Sequence, residues 1–526
     1  MDQSNPYIFP ELSNPDHWLI PEIILTQSSM YPERKIISFI DGFEWTFNDL
    51  KIKSLEKAHI LKKLNIKLGD TLTVMIDNPK EFIPYWIASS FLGVMFVALN
   101  TALKGSVLLH QISISKSNYV IVDEAYFNEV SNLIEVSELN TKTLNCLKLF
   151  SDELMDENDI YIGKPSDDVC TMFTSGTSGP SKGVLMPNAH CVLFAIGTIE
   201  NYELNHNHVF YISLPLFHAN GLFMQLLACF ITGAKAIIRM RFSASNWLND
   251  IRKYNVTHTN MLGAIAAFVV AQPPSKFDKD HDLILIGSAP LPSEPERIFR
   301  ERFGVKDVLP LYGMTEVNIP IYGLKNENGN GKCGKIYDKF FEVEIRDPET
   351  DIPLMDGLVG EIMVRPKQPY GFMSGYMGMP EKTIESWRNF WFHTGDAGIK
   401  EASGHFVFVD RIKDCIRRRG ENISSYEVEQ AFLEIPEITE AAAYAIPAKG
   451  GEGMEDEVMV ALMKDQNAII DYNDLLLKAK VNLAKFAIPK YLRVMDEFPK
   501  TQTGKIQKNK LREEGITLDT WQNEKI

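Results

Sequence analysis

Between Gly69 and Val122 short apolar runs alternate with longer stretches of helical length: strand 71–76, helix 79–92, strand 95–99, helix 107–115 and strand 119–122. A β-α-β-α-β order of this kind predicts a mostly parallel sheet with helices on its faces. The alternation resumes with a strand at 210–213, a helix near 221–232, and strands at 236–238 and 283–286, so the middle of the chain is also read as α/β.

Past Gly323 the texture changes. Residues 341–346 alternate apolar and charged side chains, and 360–364 and 406–409 are short strands between Gly- and Pro-bearing turns, which reads as an antiparallel or barrel-like segment. A basic run at 411–419 follows, then Gly420 and a helix signalled by Ser424 with Glu427 three residues later, a capping box. The fold class is therefore α/β: a large N-terminal domain of α/β sheets plus a barrel-like subdomain over 1–410, and a small mobile α+β C-terminal domain over 411–526.

Composition narrows the partners. With 54 Lys plus Arg against 69 Asp plus Glu the chain carries a formal charge of −15, which argues against a nucleic-acid binder held by a broad basic field. Three uncharged stretches, 82–103, 204–234 and 256–275, are long enough to test as membrane spans, but Pro, Ser, Gly, Asn and Thr interrupt the first, and Pro, Asn, His and Gln the other two; they read as buried helices flanked by core strands. The six cysteines show no C-x-x-C pair and read as free thiols of a reducing compartment. Residues 1–6 lack the basic and apolar regions of a secretory signal, so a cytoplasmic protein is expected.

Chemistry concentrates in Thr174-Ser175-Gly176-Thr177-Ser178-Gly179-Pro180-Ser181-Lys182. Hydroxyls, glycines and a lysine make a turn-rich loop whose backbone N–H groups can wrap a polyphosphate while Lys182 adds charge. It lacks the Gly-Lys-Ser/Thr ending of a Walker loop. A second glycine pattern, Gly329-Asn330-Gly331-Lys332-Cys333-Gly334, fits G-x-G-x-x-G formally, yet follows an Asn-rich turn and opens no helix, so it is read as a decoy.

The loop ending at Lys182 resembles the phosphate loop of the adenylate-forming superfamily, which comprises acyl-CoA synthetases, peptide-synthetase adenylation domains and luciferases. Leu311-Tyr312-Gly313-Met314-Thr315-Glu316, Trp391-Phe392-His393-Thr394-Gly395-Asp396, Asp410-Arg411-Ile412-Lys413-Asp414, Arg419-Gly420-Glu421-Asn422-Ile423 and Lys500-Thr501-Gln502-Thr503-Gly504-Lys505 follow in that family's order. The resemblance implies that Thr174, Ser175, Gly176, Thr177, Ser178, Gly179 and Lys182 cradle ATP phosphates, with Gly313 and Met314 beside the nucleotide. Glu316 then resembles the magnesium ligand, with Thr174 at its side, and Thr315 a hydroxyl contact to phosphate. By the same resemblance Tyr312 packs on adenine, Asp396 and Arg411 bind the ribose, and Lys505 bridges carboxylate and α-phosphate. Lys413 resembles the hinge and Gly420 the hairpin that lets pantetheine pass; His218 resembles the aromatic gate beside the carboxylate. Arg417, Arg418 and Arg419 are candidates to meet the phosphates of CoA.

A free carboxylate resists nucleophilic attack because it is anionic; joined to AMP it gains a good leaving group. The resulting expectation is a cytoplasmic, ATP- and Mg²⁺-dependent AMP-forming acid:CoA ligase of fatty-acid-type metabolism. The 420–425 run and the 262–273 stretch look most like crotonobetaine/carnitine-type CoA ligases, pointing to a short- or medium-chain or betaine-type acid. The alternative is a stand-alone adenylation enzyme loading a carrier-protein phosphopantetheine. The expected partners are the acid, ATP and CoA, with no nucleic acid and no membrane span, and with a homodimer left open.

Overall fold

A computed structural model describes residues 5–523 apart from 175–180, 290, 292, 328, 413–415, 419–420, 424, 448–455, 466–467, 482, 484–486 and 502–503. The chain divides into two compact units. One comprises 5–174, 181–342 and 364–387; the other comprises 343–363 and 388–523.

The predicted β-α-β-α-β segment forms as read: Thr71–Met75, Pro79–Phe91, Met95–Ala98, Gly105–Ser115 and Tyr119–Val122. Its strands pair in parallel and, among the described residues, belong to a seven-stranded sheet. In that sheet Asp168–Thr174 lies parallel to Met95–Ala98 and antiparallel to Lys182–Pro187. Asn78 caps the helix Pro79–Phe91 by accepting the Lys80 N–H at 3.1 Å, and Pro79 occupies the first turn where a missing N–H costs nothing. Every side chain from Phe82 to Phe91 is buried, so this apolar stretch is a core helix. No helix among the described residues is long and apolar enough to cross a membrane.

The same unit holds a nine-stranded sheet in which Asp307–Met314, Leu285–Ala289, His258–Leu262, Val209–Ile212, Lys235–Ile238 and Lys35–Phe39 are neighbours in parallel. The helix predicted near 221–232 is a π-helix over Asn220–Leu227 that continues as an α-helix over Ala228–Thr232. At Gly287 a Cβ would lie 1.9 Å from the Tyr202 hydroxyl and 2.4 Å from Asn260 Oδ1, so the strand takes glycine where two polar side chains cross it.

The G-x-G-x-x-G pattern is structural. Buried Glu296 accepts the Gly329 N–H at 2.7 Å and the Asn330 N–H at 3.0 Å, and Arg300 pairs with it at 3.2 Å. Gly334 has φ +113°, and a Cβ there would meet the Tyr322 carbonyl at 1.9 Å. The strand Lys335–Ile336 follows, where a dinucleotide site would open a helix.

In the second unit the alternating segment is sheet: Phe341–Arg346, Gly360–Pro366, Trp391–Lys400 and Trp387–Arg388 in that order, with Phe406–Arg411 antiparallel to Trp391–Lys400. Farther along, Ile438–Pro447, Asp456–Lys464, Tyr491–Val494 and Trp521–Gln522 form another sheet. Ala441 and Ala443 face a cluster with Val428, Ala431 and Phe432 of the helix Ser425–Leu433; Ala442, Tyr444 and Ile446 face Phe498 and Leu511 on the opposite side. Ser424 and the Glu427 side chain of the predicted capping box lie outside the described residues. The first N–H of the helix, on Ser425, donates to Asp410 Oδ2 at 2.6 Å.

Removing the Glu296 carboxylate strands the buried Gly329 N–H, takes the acceptor from the Asn330 N–H and removes the carboxylate partner of Arg300. Glu296→Ala is therefore expected to destabilise the first unit by about 3 kcal/mol. A lowered thermal unfolding midpoint with unchanged nucleotide affinity checks this.

Candidate active site

The residues singled out from sequence fall into two groups, one on each unit. In the first unit, Thr174 and Lys182 are register partners at the loop end of an antiparallel hairpin, and Thr174 Oγ1 donates to the Lys182 carbonyl at 3.4 Å. Ser175, Gly176, Thr177, Ser178 and Gly179 between them lie outside the described residues. The foot of the loop is held from the helix Gly105–Ser115: Gln111 donates to Ser181 Oγ at 2.9 Å and His110 Nε2 lies 3.1 Å from the Ser181 carbonyl.

The strand Asp307–Met314 ends in Gly313 and Met314, and the chain turns through Thr315 and Glu316 into the strand Asn318–Tyr322. Gly313 is needed here because a Cβ would sit 2.2 Å from the Asn318 carbonyl. Glu316 is only 2% exposed; its Oε1 accepts the Tyr376 hydroxyl at 3.0 Å and its carbonyl accepts the Met373 N–H at 3.0 Å. The Lys182 ammonium stands 4.1 Å from the centroid of the same Tyr376 ring. Tyr376 thus joins Lys182 to Glu316, with the cation on its face and the carboxylate at its hydroxyl.

His190 fixes the turn from the other side. Its Nε2 is 2.8 Å from the Thr315 carbonyl and its Nδ1 2.8 Å from the Gly371 carbonyl, while Asn318 donates to the His190 carbonyl at 3.0 Å. Burial pushes its pKa down to about 4, with the two carbonyl contacts opposing, so the ring is neutral near pH 7. Tyr312 is buried in the strand leading to the turn. His218 is exposed, just ahead of the π-helix, with its ring 4.7 Å from that of Phe217. A π-turn stacks residues five apart, and here Gln225 donates to Asn220 Oδ1 at 3.0 Å; Asn260 donates to the same oxygen at 2.9 Å and accepts the Tyr202 hydroxyl at 2.9 Å.

In the second unit Asp396 and Arg411 are register partners across the hairpin, with Arg411 Nε 2.8 Å from Asp396 Oδ1. Asp396 is 4% exposed. Lys505 lies in a tight turn: Thr501 donates its N–H to the Lys505 carbonyl at 2.7 Å, Thr501 Oγ1 accepts the Lys505 N–H at 3.1 Å, and Gly504 takes φ +82°. Its pKa is lowered, first by desolvation and then by the Arg411 charge, with Asp396 opposing; the three side chains share one electrostatic neighbourhood. Lys413, Arg419 and Gly420 lie outside the described residues, as does the Arg417 side chain. Arg418 corrects the sequence reading: it is 2% exposed, paired with Glu457 at 2.8 Å and donating to the Ile488 carbonyl at 2.9 Å, so this guanidinium is committed to the core and does not reach CoA.

The donor set fits a magnesium ion bound together with a nucleotide. No group of three or more His, Cys, Asp or Glu among the described residues is arranged to hold a metal ion by itself. One buried carboxylate, Glu316, and the Thr174 hydroxyl are hard oxygen ligands, and Mg²⁺ characteristically completes its shell with substrate phosphates and water.

His190 makes the first unit pH-sensitive. With the folded value near 4 and an ordinary value of 6.5, the unfolded chain takes up a proton first, so stability is full above about pH 6.5 and is lost as pH falls toward 4. The thermal midpoint should fall across that window, and less steeply in His190→Gln, which cannot charge and keeps a donor for the Thr315 carbonyl. Midpoints measured from pH 7 to pH 4 decide this.

Comparison with known proteins agrees with this geometry. Residues 25–377 match the family model for AMP-binding enzymes, and 427–505 match the AMP-binding enzyme C-terminal domain. The chain is 28% identical to the medium/long-chain-fatty-acid–CoA ligase FadD17 of Mycobacterium marinum, over 91% of this chain and 93% of the relative. It is 25% identical to the crotonobetaine/carnitine–CoA ligase of Salmonella paratyphi A, over 89% and 93% respectively. Its fold matches o-succinylbenzoate CoA synthetase from Bacillus subtilis, solved with its acyl-adenylate intermediate, with a TM-score of 0.83 and 26% identity over 94% of this chain and 98% of that one. With a family model spanning more than half its length and the motif residues standing in both units, the chain belongs to the AMP-binding, adenylate-forming enzyme family.

Proposed function

We propose that this AMP-binding enzyme is an AMP-forming acid:CoA ligase: it joins a carboxylic acid to AMP with release of pyrophosphate, then passes the acyl group to the CoA thiol. The observation that carries the reading is the Lys182–Tyr376–Glu316 arrangement: a cation at the foot of the phosphate-loop sequence and a buried carboxylate, held 4.1 Å from the ring centroid and 3.0 Å from the hydroxyl of one tyrosine. A triphosphate needs both: positive charge for its oxygens and a hard ligand for its counter-ion.

In this reading Lys182 and the loop from Thr174 to Gly179 hold the phosphates, while Thr315 places its hydroxyl toward them. Glu316 and Thr174 hold Mg²⁺, which when bound neutralises phosphate charge. Asp396 accepts the ribose hydroxyls with Arg411 beside it, and Tyr312 packs on adenine. Lys505 neutralises the charge that builds between the attacking carboxylate and the α-phosphate. The protein splits at Asp410 and Arg411 into a body of 1–410 and a mobile part of 411–526, which pivots at Lys413 to withdraw Lys505 and bring the Gly420 hairpin to the thioester step.

For the acid, the stretches 217–221, 260–263, 287–290 and 312–318 hold no carboxylate besides Glu316, which suits an apolar acyl group. The acid proposed is a short- or medium-chain or betaine-type one. His218 gates the carboxylate.

Carboxylate-dependent exchange of pyrophosphate into ATP tests the reaction class: exchange with at least one acid of a panel spanning short, medium, long, aromatic and betaine types is expected, and none across the panel overturns it. Lys505→Ala should lose about 10²- to 10³-fold in adenylation while retaining thioester formation from supplied acyl-adenylate; equal loss of both refutes the division of labour. Tyr376→Phe removes one hydrogen bond to a buried carboxylate, about 1–2 kcal/mol, and should lower kcat/KM for Mg-ATP about five- to thirtyfold in steady-state assays.

A further inference from the structure

Glu361 is almost completely buried, at 3% exposure, in the strand Gly360–Pro366, and its carboxylate is aimed at the Gly395 N–H in the strand Trp391–Lys400, which carries Asp396. Oε1 accepts the Gly395 N–H at 2.9 Å, and Oε2 lies 2.9 Å from His393 Nδ1. Gly395 has φ +71°, the left-handed conformation that turns the chain between His393 and Asp396. Its carbonyl accepts the Ile412 N–H at 2.9 Å, so both backbone polar groups of this residue have partners. Thr394 completes the lock: its hydroxyl donates to the Ile362 carbonyl at 2.6 Å and accepts the Asp396 N–H at 3.1 Å. Glu361 thus holds the Gly395 N–H, Thr394, anchored to Ile362, holds the Asp396 N–H, and Arg411 lies 2.8 Å from the Asp396 carboxylate.

A buried carboxylate is a costly way to accept one backbone N–H, and an apolar residue would pack a strand interior at lower cost. What a carboxylate adds is a strong, charge-assisted acceptor at a peptide that must stay left-handed. We propose that Glu361 is a positioning residue for nucleotide recognition: by fixing the Gly395 peptide and the His393 ring it sets where the Asp396 carboxylate stands, and thereby how strongly the site distinguishes a ribose that carries both hydroxyls from one that lacks either. The proposal rests on the reading of Asp396 as the ribose contact. It adds that this contact is built from a second acid 35 positions earlier in the chain, which touches no substrate.

Discrimination among sugars separates this role from a merely structural one. Calorimetric binding of ATP, 2′-deoxy-ATP and 3′-deoxy-ATP to the full-length protein requires no acid substrate and no turnover, so its outcome is independent of whether ligase activity is found. The wild type should prefer ATP over both deoxynucleotides. Glu361→Ala should lose that preference about ten- to hundredfold, through weaker ATP binding with the deoxynucleotides little changed. Glu361→Gln keeps a carbonyl oxygen for the Gly395 N–H at nearly the same volume and should retain most of the preference; it also serves where the alanine variant fails to fold. Equal weakening of all three nucleotides in a folded variant, retention of the full preference in Glu361→Ala, or a wild type indifferent to the sugar would each overturn the proposal.

Discussion

A carboxylate taken out of water costs several kcal/mol unless its surroundings answer it, and the first unit is organised around one such group. Glu316 is buried at the tip of the turn that follows the strand Asp307–Met314. Tyr376 donates to one of its oxygens, the Met373 N–H holds its carbonyl, and neutral His190 holds the carbonyl of Thr315 beside it. Two of these supports come from the stretch Gly371 to Tyr376 and the third from the helix Asn188–Tyr202. His190 is itself placed by contacts with the Gly371 carbonyl and Asn318, so the turn keeps its shape through both segments.

The second unit applies the same rule to Asp396. There Glu361 and Thr394 hold the backbone and Arg411 the side chain. In both places an acidic side chain is fixed by its neighbours, of which Arg411 is also proposed to meet the ligand. This explains how a chain of net charge −15 suits polyanionic ligands. The overall charge acts at long range and is screened by salt, whereas Lys182, Arg411 and Lys505, the cations proposed to meet the ligand, would act over a few ångströms.

Much of the fold was legible. The strands at 71–75, 95–98 and 119–122 and the helix Pro79–Phe91 follow from apolar runs bounded by Asn, Pro and Gly, which are local signals. The decoy at Gly329 to Gly334 was rejected on local grounds too, for want of a strand before it and a helix after it. Less legible was the π-helix at Asn220–Leu227, since a π-turn and an α-turn share the same apolar content. Arg418 was misread for a related reason: a run of basic residues looks solvated until Glu457, distant in sequence, is seen to pair with it.

The sequence by itself determined the order of strands and helices and the phosphate-loop composition, because period and turn chemistry are properties of neighbouring residues, and its resemblance to the adenylate-forming family singled out Lys182, Glu316, Asp396, Arg411 and Lys505. Only the tertiary structure decided what holds those residues. Tyr376 meets Glu316 from 60 positions away, His190 meets Thr315 from 125, and Glu361 meets Gly395 from 34. A tyrosine, a histidine and a glutamate carry no mark in the sequence that separates a support from an ordinary core or surface residue. Burial gives them their roles, by making each unsatisfied polar group expensive and so requiring a partner wherever the fold can supply one.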